Sequence, residues 1–508
     1  MKKSAYLHHV RNSVAIAAIS YTLAIGSPVR AQNLDDLIHR LDKLEQENRE
    51  LRGEIELLKT KTAAPDKAEN QASNGTPTSA SPVGNNAIAS KSPDTFQAVE
   101  FNSAYTFAML DPTSSGKSKP LNLLFSKRDK ALSQQGLIIG GALTAVADYQ
   151  SSNFTDDFGY LMRHPGANHV GKTVSEIALH SAQIQLTANV SPWVSTYVEL
   201  LYDPEQSFGS GSITALSRNQ VQVRRGYLVL GNLEKSPFYA VIGKLDSPFG
   251  QTDTVNPFTL STDWHSFSGL SYGALLGYSG KHLNVSLEAV QGGAQFRGLN
   301  TPVEGTNVPS KINNYVADVN YTVPLGPTGR TIMVGASYER GSSFCQTFPI
   351  THFGTCTDPN PAYAIYGTLH WDRLEIKGDF AKTAHAMPGT FNPNAPLNIY
   401  PAHGITSFDL GAKYGVNGLL PSLTLSIDYS ALIAGPKGSP WHRQDQWVAG
   451  MATSPLPNLK LFTEAVLVKG YLPFNFLTGG TPGEDPGTTE SSTQKNSTVL
   501  LVGMNAAF

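Results

Sequence analysis

The side chains able to do chemistry are scattered along this sequence. It contains 13 histidines, yet none falls in an HExxH or at ligand spacing from another, and no GxSxG marks a nucleophile. Neither a catalytic set, nor a resident metal, nor a cofactor is expected. What recurs is an ionisable group at alternate positions of short apolar runs. Glu199, Glu288, Asp318, Glu339, Glu375, Asp379, Asp409, Asp428 and Glu464 stand against Arg224, Lys377 and Lys413. If these faces line a water-filled tube, the acidic excess favours cations, as rings of Asp and Glu do in channels. A second reading stays open: the acids pair with neighbouring or loop bases and only keep the interior wet.

A second group of candidates lies in the stretch Asp246 to Phe267, DSPFGQTDTVNPFTLSTDWHSF, which is aromatic and broken by Pro248 and Pro257. A connector this long is expected to fold inward, with Arg224, Asp246, Phe249, Phe258, Trp264 and His265 as candidate ligand contacts. Cys345 and Cys356 are the only cysteines. Two cysteines exclude a disulfide scaffold, and in an oxidising compartment this pair is expected to pin one loop.

These residues need a scaffold that presents alternate positions to water. From Gly136 to Phe508 about sixteen segments alternate apolar and polar residues, starting near 136, 175, 194, 219, 238, 268, 283, 312, 331, 361, 374, 405, 422, 445, 459 and 497. Leu283, Val285 and Leu287 against Asn284, Ser286 and Glu288 show the period of two, as do Leu374 and Ile376 against Glu375 and Lys377. Long and short connectors alternate, and the short ones carry turn residues such as Ser191-Pro192, Asn417-Gly418 and Ser279-Gly280. The expected fold is all-β, a transmembrane antiparallel barrel over 136–508. Its lipid-facing aromatics are expected at Tyr227, Phe238, Tyr338, Phe380, Tyr414 and Tyr429, with Phe508 closing an alternating last strand. Lys and Arg number 38 against 40 Asp and Glu, and charged residues are 15% of the chain. That balance excludes a basic nucleic-acid binder, and the low charge suits a chain whose partner is membrane lipid.

The first residues form an address. Lys2, Lys3 and Arg11 precede an apolar stretch from Val14 to Ile25 that is too short to span a bilayer, and Val29 and Ala31 suit a cut before Gln32. Residues 1–31 are thus expected to be a secretory signal, and 32–59 a parallel coiled coil in the periplasm with core positions Leu34, Leu37, Leu41, Leu44, Asn48, Leu51, Ile55 and Leu58. The flanking pairs Arg40 with Glu45, Glu47 with Arg52 and Glu54 with Lys59 have opposite signs and favour self-association as a dimer or trimer. Residues 60–96 are an Ala, Ser, Asn and Pro linker. Segment 97–135 has two possible placements, a lumen insert or a periplasmic cap.

This order of parts, with the segment Ser126 to Tyr149 (SKRDKALSQQGLIIGGALTAVADY), the stretch Arg224 to Gly250 and the terminal Phe508, resembles the LbtU-type siderophore porins, related to iron-uptake proteins of the FupA and FslE type. The resemblance implies an outer-membrane receptor or porin passing ferric siderophore, with iron present only as cargo. A gated energised receptor carries a plug well over one hundred residues long in a 22-strand barrel; segment 97–133 is too short for that, so passage down a gradient is expected. A general cation-preferring pore and a barrel that only anchors the coiled coil are the alternatives. An acidic lumen conflicts with polycarboxylate siderophores unless bases offset it.

Overall fold

The computed structural model describes residues 97–508 apart from 115, 163–168, 204–220, 292–298, 301–310, 328, 351–358, 419, 475–476 and 481–482. The expected signal, coiled coil and linker lie outside the described residues, as does Cys356.

Sixteen strands close into one antiparallel barrel. They are β1 (Gly136–Ser152), β2 (Thr173–Ser191), β3 (Val194–Tyr202), β4 (Val221–Gly231), β5 (Phe238–Asp246), β6 (Leu270–Ser279), β7 (Leu283–Gln291) and β8 (Ile312–Pro324). The second half comprises β9 (Thr331–Glu339), β10 (Ala362–Trp371), β11 (Leu374–Thr383), β12 (Thr406–Val416), β13 (Leu423–Ile433), β14 (Arg443–Leu456), β15 (Leu459–Tyr471) and β16 (Ser492–Ala507). Each pairs with its sequence neighbour, β7 with β8 included, and β16 returns to β1. Closure leaves no open edge, the condition for a sheet to exist in hydrocarbon. Fifteen starts fall within two residues of expectation, and β16 begins at Ser492 instead of near 497 because it runs on beyond the alternating stretch.

The pleat sorts the side chains as the pattern requires. Leu276, Leu287, Ile365, Leu410, Ile427 and Leu500 are exposed outside, whereas Glu199, Glu288 and Asp428 are buried inside. Phe238, Phe380 and Tyr414 also face outward and are exposed. Tyr227 does not: it is buried in the lumen, stacked on Tyr197 with ring centroids 5.0 Å apart. The cause is a bulge, since Glu199 pairs with Arg225 while Leu200 pairs with Val223, so one extra residue shifts the phase of β4.

Two inserts occupy the interior. The first lies in segment 97–135 and packs on inward-facing side chains of the wall. Its strand Gln97–Glu100 pairs parallel with Gly136–Ile138 of β1, beyond the point where β16 has ended at Ala507 opposite Ala142. Helices α1 (Ser103–Leu110) and α2 (Lys119–Arg128) follow. Asn102 caps α1 by accepting the Tyr105 N–H at 3.0 Å. Tyr105, Met109, Leu123 and Leu124 pack against Ile138, Tyr197, Val229 and Leu275 of the wall. Gly140 makes that approach possible, because a Cβ there would collide with Thr106. The second insert is the connector after β5, which carries α3 (Thr262–Phe267). Connectors at the same end cover it with an apolar cluster that includes Phe344, Met387, Trp441 and Leu472.

Candidate functional site

The candidate site is the lumen where the two inserts meet the wall. On the β2–β5 side, Arg225 is the centre. Its Nη1 donates to both oxygens of Glu199 at 2.9 and 3.0 Å, and its Nη2 to Asp246 at 2.8 Å. Tyr197 and Gln183 add hydrogen bonds to Glu199, each 3.1 Å long. Lys119 of α2 stands 3.9 Å from the same carboxylate. Arg224, the residue singled out by alternation, sits at the bulge beside this cluster. A strict period of two puts only one of the adjacent arginines inside; the bulge turns Arg225 inward as well, so the base that pairs most extensively was missed. The signal was the Arg-Arg-Gly triplet, where a small residue follows two bases in a strand.

The first insert is tied across the lumen. Lys117 reaches Asp318 of β8 at 3.4 Å and lies 4.1 Å from the Tyr366 ring centroid, while Lys460 of β15 holds Asp111 at 2.8 Å. Burial opposes ionisation of Asp111, yet the Lys460 ammonium and donors from Thr113 outweigh it and keep the carboxyl below its ordinary range. Burial pushes Lys119 down to about 8 and Lys127 likewise to about 8. Lys127 donates to the Ser191 carbonyl and to Ser195 Oγ, both at 2.9 Å.

The second insert follows the opposite wall from β9 to β15. Gly250 N donates to Ser337 Oγ at 3.0 Å, Gln251 N donates to Asp379, and Lys377 bridges Asp253 and Glu375. Lys413 joins Glu375 at 3.1 Å. Further on, Phe258 N and Thr259 N donate to Glu464 at 2.7 and 3.0 Å, and Gln446 donates to the Leu260 carbonyl at 2.9 Å. The inward fold expected of this connector is therefore present. Its aromatics serve the fold: Phe249 stacks on Phe267 and Phe258 on Phe462, both buried, while Trp264 is half-buried beside His265.

Many of the lumenal acids thus have partners: Glu199, Asp318 and Glu375 pair with bases, and Glu464 accepts backbone N–H groups. Glu288 rests on Ser271 at 3.4 Å, and Glu339 is buried at the end of β9. A patch of four differs. Asp379 and Asp409 are direct cross-strand partners, Asp428 is the partner of Gly411 two residues further along, and Asp263 of α3 comes in from the insert. Burial, and next the Asp379 carboxylate, hold Asp263 well above the ordinary carboxyl range. Among the described residues no Lys or Arg lies within ion-pair distance of these four, and no group of three or more His, Cys, Asp or Glu is placed to hold a metal ion. Cys345 is disulfide-bonded, in the connector after β9.

No family model matches the sequence. A curated relative, a UPF0422 protein of Coxiella burnetii, is 33% identical over 86 residues, which is 17% of this chain and 17% of that protein. Among solved structures, the anion-selective porin from Comamonas acidovorans is 10% identical, with 73% of this chain and 99% of that chain covered at a TM-score of 0.45. The outer membrane channel DcaP of Acinetobacter baumannii is 16% identical, with 73% and 97% covered and a TM-score of 0.43. Pseudomonas putida OprB is 8% identical, with 76% and 97% covered and a TM-score of 0.44.

Proposed function

We propose that this chain is an outer-membrane channel through which small solutes pass down their gradient, selected where the second insert crosses the lumen. The observation that carries this reading is the patch formed by Asp263, Asp379, Asp409 and Asp428. It leaves the narrowed lumen with carboxyls unmatched by bases, so cations are favoured over anions wherever the pH is high enough to strip their protons. Ferric siderophore is the cargo supported by the resemblance to the LbtU-type porins, and the pairing of Glu199, Asp318 and Glu375 with bases removes part of the repulsion a polyanionic cargo would meet. The heptad pattern from Leu34 to Leu58 supports self-association of the chain.

Conductance of the purified chain in planar bilayers tests this. Ohmic steps with a reversal potential favouring potassium over chloride are expected, and an iron-loaded siderophore should block them from the long-connector side. Cation preference without block leaves a general cation pore; absence of any conductance rejects the channel reading altogether.

A further inference from the structure

The outer wall of the barrel is graded near its long-connector end, from β10 to β15. Cross-strand partners form continuous rungs there. The uppermost joins Tyr363, Lys382, Thr406, Ile433 and Arg443 in register across five strands. The next rung down places Phe380 against Phe408, and Asp445 against Lys469. Below that, Tyr429 stacks on Trp447 with ring centroids 4.4 Å apart, flanked by Leu410 and Leu467. Tyr363, Phe380 and Trp447 are exposed on the outer face, as are Lys382 and Lys469. Along β11, β14 and β15 the outward residues thus pass from apolar or aromatic to cationic toward the long connectors, Phe380 to Lys382, Trp447 to Arg443 and Leu467 to Lys469, the order of a bilayer passing from acyl chains to headgroups.

The cations of this band exceed its carboxylates. Lys382, Arg443 and Lys469 face one acid, Asp445, which Arg443 Nε already engages at 2.7 Å. The Arg443 guanidinium also donates to the Tyr429 hydroxyl, so its plane is fixed beside the aromatic rung.

We propose that the β10–β15 face binds the phosphate groups of an anionic lipid in the outer leaflet, with Lys382, Arg443 and Lys469 as the phosphate contacts and the Phe380–Phe408 and Tyr429–Trp447 rungs beside its acyl chains. Ammonium and guanidinium groups at an interface gain from anionic headgroups; with Arg443 Nε and Nη2 engaged by Asp445 and Tyr429, Nη1 is the contact it offers to phosphate, beside the ammonium groups of Lys382 and Lys469. The proposal rests on the outer-membrane reading above, because only that orientation puts this end in the outer leaflet.

The full chain is to be inserted into phosphatidylcholine vesicles with and without bisphosphorylated lipid A, extracted gently, and weighed by native mass spectrometry. Retained lipid A is expected on the wild type. Lys382→Gln combined with Arg443→Gln should weaken retention by about fivefold per residue removed, whereas Lys235→Gln at a short turn should leave it unchanged. Equal retention by the double variant, or equal retention of phosphatidylcholine, overturns the proposal, and so does a cross-link showing a second copy of the chain seated on β10–β15. Displacement of lipid A by inorganic phosphate at matched concentration would reduce the site to a phosphate site and overturn the lipid assignment. A chain that inserts into neither vesicle overturns the membrane reading and this proposal with it; one that inserts without lipid preference overturns this proposal alone.

Discussion

Asp379 of β11 and Asp409 of β12 stand directly opposite each other on the lumenal face, both buried, with Asp263 of α3 closing on them from the inserted connector. Like charges at directly opposed positions destabilise a sheet, so the patch holds the insert best when it carries protons. Asp263 has a raised value in the folded chain. Its contribution to docking is fully present below the ordinary carboxyl range and is lost as pH rises through the raised value. Conductance is therefore expected to increase on going from mildly acidic to alkaline solution. Asp263→Asn should flatten that profile, and a variant with the wild-type slope would remove Asp263 as the titrating strut.

The same patch sets a selectivity prediction. Asp409→Asn combined with Asp428→Asn should lower the preference for potassium over chloride, read as a reversal potential nearer zero in a salt gradient. Glu375→Gln removes the carboxylate shared by Lys377 and Lys413; Lys377 keeps Asp253 but Lys413 is freed, so the potential should shift further toward anions. If neither substitution moves the reversal potential, the conduction path avoids this wall.

Arg225 joins Glu199 and Asp246 in the barrel interior. Arg225→Gln leaves the buried Glu199 carboxylate with only Lys119 at 3.9 Å and the half-buried Asp246 without its guanidinium, and should cost about 3–5 kcal/mol, measured as the urea midpoint of the heat-modifiable folded band. Arg225→Lys keeps the charge without the fork of donors and should recover only part of that loss. Full stability in Arg225→Gln would show that the ion pairs contribute nothing net.

Lys127 is buried against a carbonyl and a hydroxyl, with a value pushed down to about 8 from 10.5. The detached insert binds more protons than the docked one between these limits, so docking should tighten as pH rises from about 8 toward 10.5. Protease cleavage near residues 129–134 is expected to slow over that window. In Lys127→Met, an apolar side chain fills the same space and the slope should shrink to the part Lys119 supplies.

Phe508 closes the barrel through paired backbone hydrogen bonds with Gly141, 2.9 and 3.2 Å long, and its ring covers the space where a Gly141 side chain would stand. Gly141→Val should displace that ring and reduce the yield of folded barrel, while Gly141→Ala should do so less. Equal yields for all three would mean that ring contact is not needed for closure.

The strands were legible because their signal is local. An apolar residue at every second position and a Pro or Gly at the turn need no knowledge of distant partners, and both survive in β7, β11 and β13. The exceptions are where the backbone departs from that period. The bulge in β4 carries Tyr227 from the expected lipid face into the lumen and brings Arg225 in beside Arg224. In the connector after β5, Phe249 and Phe258 looked available for a ligand, yet an inward-folding loop must bury apolar surface to stay inside, and these rings supply it.

Strand count, the alternation of long and short connectors and, outside the β4 bulge, the face each strand residue takes could be read along the chain, since each follows from pleat geometry within a few residues. Only the tertiary structure decided which charges meet. Lys117 finds Asp318 across 201 positions and Asp111 finds Lys460 across 349. Both contacts exist because closing the sheet brings opposite walls within reach of one short insert, and charge alone, without that closure, names no partner.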